Sequence, residues 1–365
     1  MRAKSFPGRE TDSRVLVLGG AGYLGSVLVR QLLESGRQVR VLDSLMFGEQ
    51  ALEGVKAQGN FELVRGDVRD IGVVVRSMKG CEAVVHLAAI VGDSACDENK
   101  QLAAEVNRAA TRMLADVAME CGVRRFIFAS SCSVYGASDF SVDEGSAVNP
   151  LSVYSETKID SERILLEARS GKFAPTILRL STLFGLSPRM RFDLVVNLFV
   201  ARAVFMGSIT VLNGEQWRPL MHVQDAARAC MASLEAAEES VSGEVFNVGS
   251  AGLNLQIEEL GQAVSRVIPG MEIETLESDD RRNYRVSFEK IRERLGFDCW
   301  KTMEFGIQEI YGAIRAGLIT DFTTAHFNNQ IALRALVRAG AKQSTPLEKA
   351  GKGRDEVGIG HAAGL

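Results

Sequence analysis

The chain has 365 residues, 46% of them hydrophobic and 24% charged, with a formal net charge of −4. This composition excludes a disordered chain and a surface that coats nucleic acid, so an anionic ligand must be met by local arginines rather than by a global field. The length exceeds the usual ceiling for one compact domain and predicts two lobes sharing an interface.

The first residues, "MRAKSFPGRETDSR", are polar without an apolar centre, and residues 1–13 are expected to be a flexible segment rather than a signal peptide or anchor. No apolar run reaches the roughly 18 residues of a membrane span, so the expectation is a cytoplasmic protein with no membrane partner. The six cysteines, at 81, 96, 121, 132, 230 and 299, form no CxxC pair, which argues for reduced thiols and against a metal site.

Strand-like runs open with "RVLVL" (14–18) and continue with "QVRVLD" (38–43), "FELVRGD" (61–67), "AVVHLAA" (83–89), "RRFIFASS" (124–131) and "PTILRL" (175–180). Between them "SVLVRQLLESG", "EVNRAATRMLADVAMECG" and "VYSETKIDSERILLEARSG" have helical periodicity, with Gly36, Gly122 and Gly171 as expected C-caps. The alternation predicts an α/β fold with a doubly wound parallel sheet. Its dinucleotide-binding part spans 14–183. After Gly185 the rhythm shortens, "SITVLNG" and "GEVFNVGS" included, and predicts a smaller α/β lobe over 184–320, with later strands returning to the sheet. Residues 321–365 form an extension whose glycine-rich, aperiodic end is expected to be mobile.

Gly19, Gly22 and Gly25 form GxxGxxG between a predicted strand and helix. Such a turn brings backbone close to a pyrophosphate at the positive end of a helix, although glycines also end strands for steric reasons alone. Asp43, 18 residues beyond Gly25, closes the second strand, where a carboxylate accepts hydrogen bonds from both adenosine ribose hydroxyls and repels a 2′-phosphate. In "GDVRD", Asp67 either lies beside the adenine or forms an ordinary acidic surface turn.

Tyr154 and Lys158 stand four residues apart on one helix face, where an ammonium favours the phenolate and lets a group with an ordinary pKa of ~10 serve as a base. The pair also occurs by chance on solvated helices. Ser131 ends a strand at the carboxyl edge where open parallel sheets bind ligands, and either shares the substrate proton with Tyr154 or only forms a turn.

Together Gly19-x-x-Gly22-x-x-Gly25, Asp43, "GDVRD", "HLAA", Asn107, "SSCSVYG", Tyr154-x-x-x-Lys158 and "RPLMHVQDAARA" resemble the extended short-chain dehydrogenase/reductases that modify nucleotide sugars, over about residues 14–315. The resemblance implies a Rossmann domain holding NAD, with Gly19, Gly22, Tyr23, Leu24, Gly25, Asp43, Asp67, Val68, Leu87, Ala88, Ala89, Asn107, Tyr154 and Lys158 around the cofactor. It implies Ser131, Tyr154 and Lys158 as the catalytic set. A nucleotide-diphosphate sugar would meet Cys132, Ser133, Arg191, Asn197 and Arg218, with Arg282 or its neighbour Arg281 as a second phosphate clamp. Arg189 lies in the same arginine-rich loop, which shapes the substrate pocket or faces solvent. His222 is expected to be structural. Similar enzymes pair two such helices across a two-fold axis, so a homodimer is expected.

Within that family, dehydratases carry Asp-Glu after the Ser131 position and decarboxylases an acidic residue at Ser133; this chain has Cys132-Ser133. The reading that follows is a 4-epimerase working through a transient 4-keto sugar. Reduction of a 4-keto sugar, 3- or 5-epimerisation, dehydration or decarboxylation and a catalytically silent binding module are the alternatives. Cys132 is either an acid/base beside the ketone or a small buried hydrophobe. Asp43 carries a direct test: NAD should bind at least about tenfold tighter than NADP, and equal dissociation constants would show that the carboxylate does not face the ribose.

Overall fold

The computed structural model describes residues 14–343, so the expected flexible start (1–13) and the end of the chain beyond 343 lie outside the described residues. Strands β1 (Arg14–Leu18), β2 (Gln38–Asp43), β3 (Phe61–Arg65), β4 (Cys81–His86) and β5 (Arg125–Ser131) are joined by Ala174–Leu180 and Glu244–Val248 into one seven-stranded sheet. From one edge the order is Glu244–Val248, Ala174–Leu180, β5, β4, β1, β2, β3, and every pair is parallel. This is the Rossmann-type α/β sheet, and its strand order reverses between β1 and β4, where such sheets open a ligand crevice. "GEVFNV", grouped by its rhythm with the smaller lobe, returns to this sheet as an edge strand.

The sheet is covered on both faces, as apolar alternation in β1 requires. Val15 and Val17 pack into one core, Leu16 and Leu18 into the other. The smaller lobe contains a three-stranded sheet of Thr182–Phe184, Trp217–His222 and Asn254–Gln256, and Ser208–Leu212 pairs in parallel with Glu272–Leu276.

Gly36 and Gly122 follow their helices with φ of +83° and +74°, as a left-handed C-terminal turn demands. Gly171 does not: the helix Val153–Glu167 ends earlier, on Ala168. The helix expected around "EVNRAATRM" is interrupted by a π-helical turn over Ala104–Ala109, which pushes Asn107 into the interior. All six cysteines are free thiols. Among the described residues no helix is long and apolar enough to cross a membrane, and no cluster of side chains could hold a metal ion.

The helix Val153–Glu167 is pinned to the sheet by charge. Arg179, on Ala174–Leu180, donates to Glu162 at 2.7 Å, and both side chains are nearly inaccessible, at 8% and 5% exposure. Removing one member of such a pair strands the other, so Arg179→Met should cost about 3–5 kcal/mol in chemical denaturation. The double variant Arg179→Met/Glu162→Gln should lose less. Wild-type stability in Arg179→Met would show that the pair does not hold the helix.

Candidate active site

The carboxyl ends of β1, β2, β4 and β5 open into one cavity of about 1020 Å³ that continues into the smaller lobe. At its floor Gly19 turns with φ +84°, its N–H donating to Leu42 O at 2.9 Å, and the helix α1 (Tyr23–Glu34) starts after Gly22. A Cβ on Gly19 would come within 2.7 Å of Ala88 N, and one on Gly25 would collide with Gly19 O. The glycines are therefore required by close backbone approach, and no side chain caps the start of α1, so its first N–H groups face the cavity.

Asp43 accepts hydrogen bonds from Ala21 N (2.9 Å) and Leu45 N (2.8 Å), and burial raises its pKa. These bonds fix the carboxylate at the rim of the glycine turn. Asp67 also lines the cavity, held by Arg69 at 2.8 Å; that hydrogen bond lowers its pKa. Tyr23, Leu24, Val68, Leu87, Ala88 and Ala89 line the same groove. Backbone cradle, helix start and acidic strand end are the features a dinucleotide such as NAD requires.

Asn107 does not line it. Its side-chain oxygen accepts from Ile90 N (2.8 Å), while its amide nitrogen donates to Ile90 O (3.0 Å) and Thr157 Oγ1 (3.1 Å). With its amide committed, Asn107 is a positioning residue between the loop after β4 and the helix Val153–Glu167, not a cofactor ligand.

Ser131, Ser133, Tyr154 and Lys158 face the cavity. Ser152 caps the helix Val153–Glu167 by accepting from Ser155 N, which places Tyr154 and Lys158 in its first two turns. Lys158 donates to Ala129 O at 2.7 Å and sits 4.6 Å over the Phe128 ring and 5.7 Å from the centre of the Tyr154 ring. Burial brings its pKa down to about 8. Burial also raises the Tyr154 phenol, with Arg191 and a hydrogen bond from Ser131 acting in the opposite direction. The lysine alone therefore does not produce the phenolate that the i, i+4 spacing suggests; desolvation is the larger effect.

Cys132 is not a substrate contact, and of its two expected roles the structure has the small buried hydrophobe. It is absent from the cavity lining, is buried, and donates from Sγ to Arg179 O at 3.1 Å. Burial pushes its thiol up to about 12, away from the range an acid/base needs. Ser133 stays at the site, its Oγ without a hydrogen-bond partner in the protein.

Among the expected substrate contacts, Arg191, Arg218 and Arg282 line the cavity and Arg281 does not. Arg191 forms an ion pair with Asp193 at 2.7 Å. Arg218 (3.1 Å) and Arg282 (2.6 Å) share Asp280; although burial opposes it, the Arg282 hydrogen bonds bring that carboxyl down to about 2. Asn197 is a second correction. Fully buried, it accepts from Gly185 N (3.0 Å) and donates to Tyr23 Oη (3.1 Å) and Arg191 O (2.9 Å), bracing the loop rather than meeting substrate. His222 is structural as expected, with Nε2 2.6 Å from Glu309.

Sequence reasoning missed Asp93. It accepts from Ser152 Oγ (2.5 Å) and Arg282 Nη1 (2.6 Å), linking the arginine cluster to the cap of the helix Val153–Glu167. Asp93 follows Gly92 at the C-terminal side of β4, a position that its strand pattern alone could have flagged.

The model of the NAD dependent epimerase/dehydratase family matches residues 15–249. The chain belongs to that family. It is 31% identical over 323 residues to a UDP-glucose 4-epimerase of Streptococcus mutans, covering 81% of this chain and 94% of the relative. A dTDP-glucose 4,6-dehydratase of an Actinoplanes species is 29% identical, with 83% and 98% covered. The solved structure of MoeE5 in complex with UDP-glucose and NAD superimposes with a TM-score of 0.74 at 28% identity, covering 84% of this chain and 100% of that one. The protein is thus an NAD-dependent enzyme of the extended short-chain dehydrogenase/reductase type.

The corrected role of Cys132 is testable: Cys132→Ala should cost about 1 kcal/mol of stability and leave turnover intact. Turnover lost at unchanged stability would return the thiol to the chemistry.

Proposed function

We propose that this enzyme inverts C4 of a nucleotide-diphosphate sugar, a UDP-sugar being the first choice, through a transient 4-keto sugar. The observation that carries the reading is the composition of the reacting end. Ser131, Tyr154 and Lys158 face the cavity, whereas Cys132, which stands where family dehydratases have an acid, is turned into the core. Removing a C5 proton and expelling a C6 hydroxyl needs an acid and a base that Cys132 and Ser133 do not supply. A 4-epimerase needs neither. The relatives named as UDP-glucose 4-epimerases support the reading, and those named as a dehydratase and a decarboxylase mark the alternatives.

In this scheme the glycine turn would hold NAD, Asp43 would meet its adenosine ribose, and Tyr154 and Lys158 would stand beside the reacting carbon. When bound it supplies a positively charged hydride acceptor that also returns the hydride. Tyr154 Oη takes the C4 hydroxyl proton as that hydroxyl becomes a ketone, with Ser131 Oγ sharing the hydrogen bond. Lys158, charged below about pH 8, adds its charge to the pull of Arg191 and Ser131 toward the phenolate. The same phenol gives its proton back when the ketone is reduced on the opposite face. Arg218 and Arg282 meet the diphosphate, where planar guanidinium groups bind bidentately.

Isotope tracing tests this. With UDP-glucose deuterated at C4, the inverted product should keep its deuterium at C4 and take none from solvent at C3 or C5. Solvent deuterium at C3 or C5 would instead make the enzyme a 3- or 5-epimerase, and an accumulating 4-keto-6-deoxy sugar would make it a dehydratase.

A further inference from the structure

Arg189 is almost wholly buried, 2% accessible, yet it lines the large cavity. Its guanidinium lies 3.7 Å over the Phe47 ring, and Nη2 donates to Asn329 Oδ1 at 2.7 Å. Nε has no partner in the protein. The nearby carboxylates are committed elsewhere: Asp43 to the backbone of Ala21 and Leu45, Asp193 to Arg191. Among the described residues no carboxylate hydrogen-bonds Arg189, and Arg191 adds a like charge. Burial pulls its pKa down to about 9; the charges of Asp193 and Asp43 act in the opposite direction, but neither carboxylate hydrogen-bonds the guanidinium.

Position identifies the missing anion. Phe47 belongs to the loop that follows Asp43, and the charge of Asp43 acts on Arg189. The guanidinium therefore stands beside the loop after β2, on the Asp43 side of the cavity.

What holds it there is the segment 321–343, for which no structural element was expected. Phe322 and Phe327 pack edge-on against Phe192, and Phe192 N donates to Phe327 O at 2.9 Å. The helix Asn329–Gln343 buries Leu333 among Ile90, Ala95, Cys96 and Ala103. Asn329 Nδ2 donates to Val91 O at 3.1 Å, which fixes its oxygen toward Arg189.

We propose that Arg189 is a receptor for a phosphate of the bound cofactor, and that the C-terminal segment, through Asn329, is the positioning element that aims it. The neutral amide is what this role requires: it orients the guanidinium without satisfying its charge. The inference rests on the family's use of NAD and not on the 4-epimerase reading, so binding assays decide it whatever sugar is turned over.

The test is calorimetric titration of the full chain with NAD, ADP, adenosine and UDP. A charge-assisted hydrogen bond of ordinary strength corresponds to roughly tenfold to a hundredfold in affinity, so Arg189→Met should weaken NAD and ADP by that factor and leave adenosine and UDP unchanged. Asn329→Asp keeps the acceptor toward Arg189 and supplies a counter-charge, while giving up the bond to Val91 O. It should weaken NAD and ADP at least about tenfold while adenosine binding holds. If Arg189→Met does not fold, Asn329→Asp alone decides. Wild-type NAD affinity in either variant overturns the proposal. So does an equal loss for adenosine, which would mean general distortion, or a loss confined to UDP, which would move Arg189 to the sugar nucleotide.

Discussion

The site depends on the buried ion pair between Glu162 and Arg179. Glu162 follows Lys158 by one helical turn, so whatever holds that carboxylate sets the depth of the lysine and of Tyr154 above the sheet. Arg179 holds it from the neighbouring strand, the Ser130 hydroxyl donates to it from the end of β5, and Arg179 Nη1 donates to Tyr135 Oη at 2.9 Å. Ser131 is the next residue along β5. A single buried carboxylate thus ties the strand that presents Ser131 to the helix that presents Tyr154 and Lys158. Asn107 repeats the principle higher on the same helix, with its amide spanning Ile90 and Thr157.

A second set of charges links distant segments around the cavity. Asp280 holds Arg218 and Arg282 together, and Arg282 reaches across to Asp93, which bonds the cap residue Ser152. A diphosphate that engages these arginines therefore acts on a chain of contacts ending at the first turn of the helix that carries Tyr154. Such a chain lets binding energy from the nucleotide, far from the reacting carbon, position the base. The shared carboxylate also pre-orients both guanidinium groups and lowers the cost of bringing them together.

The parts of this architecture that were legible in the sequence are those set by local spacing. The first six strands of the sheet, GxxGxxG, Asp43 at a strand end and Tyr-x-x-x-Lys each depend on residues close together in the chain, and their geometry follows from helix and strand periods. The parts misread depend on where a side chain points once distant segments pack. Asn107 turns inward because of a π-helical turn, and Asn197 is consumed by Tyr23 and Gly185. Cys132, beside Ser131, faces the core, so of its two readings only the buried hydrophobe stands. Arg189 and Asn329 are 140 residues apart, so no local pattern links them. The apolar spacing of "IALRALV" does mark a helix there, and it is the one sequence signal that could have found the C-terminal wall.

The central claim is that Tyr154, held by this framework, drives oxidation and re-reduction of a sugar hydroxyl within one turnover. Rapid mixing of the NAD-loaded enzyme with UDP-glucose, followed by the absorbance of reduced nicotinamide, tests it most directly. The account predicts a transient that rises and decays with no added cofactor and is lost in Tyr154→Phe while NAD stays bound. Sugar inversion without the transient, or an unchanged transient in Tyr154→Phe, would contradict it.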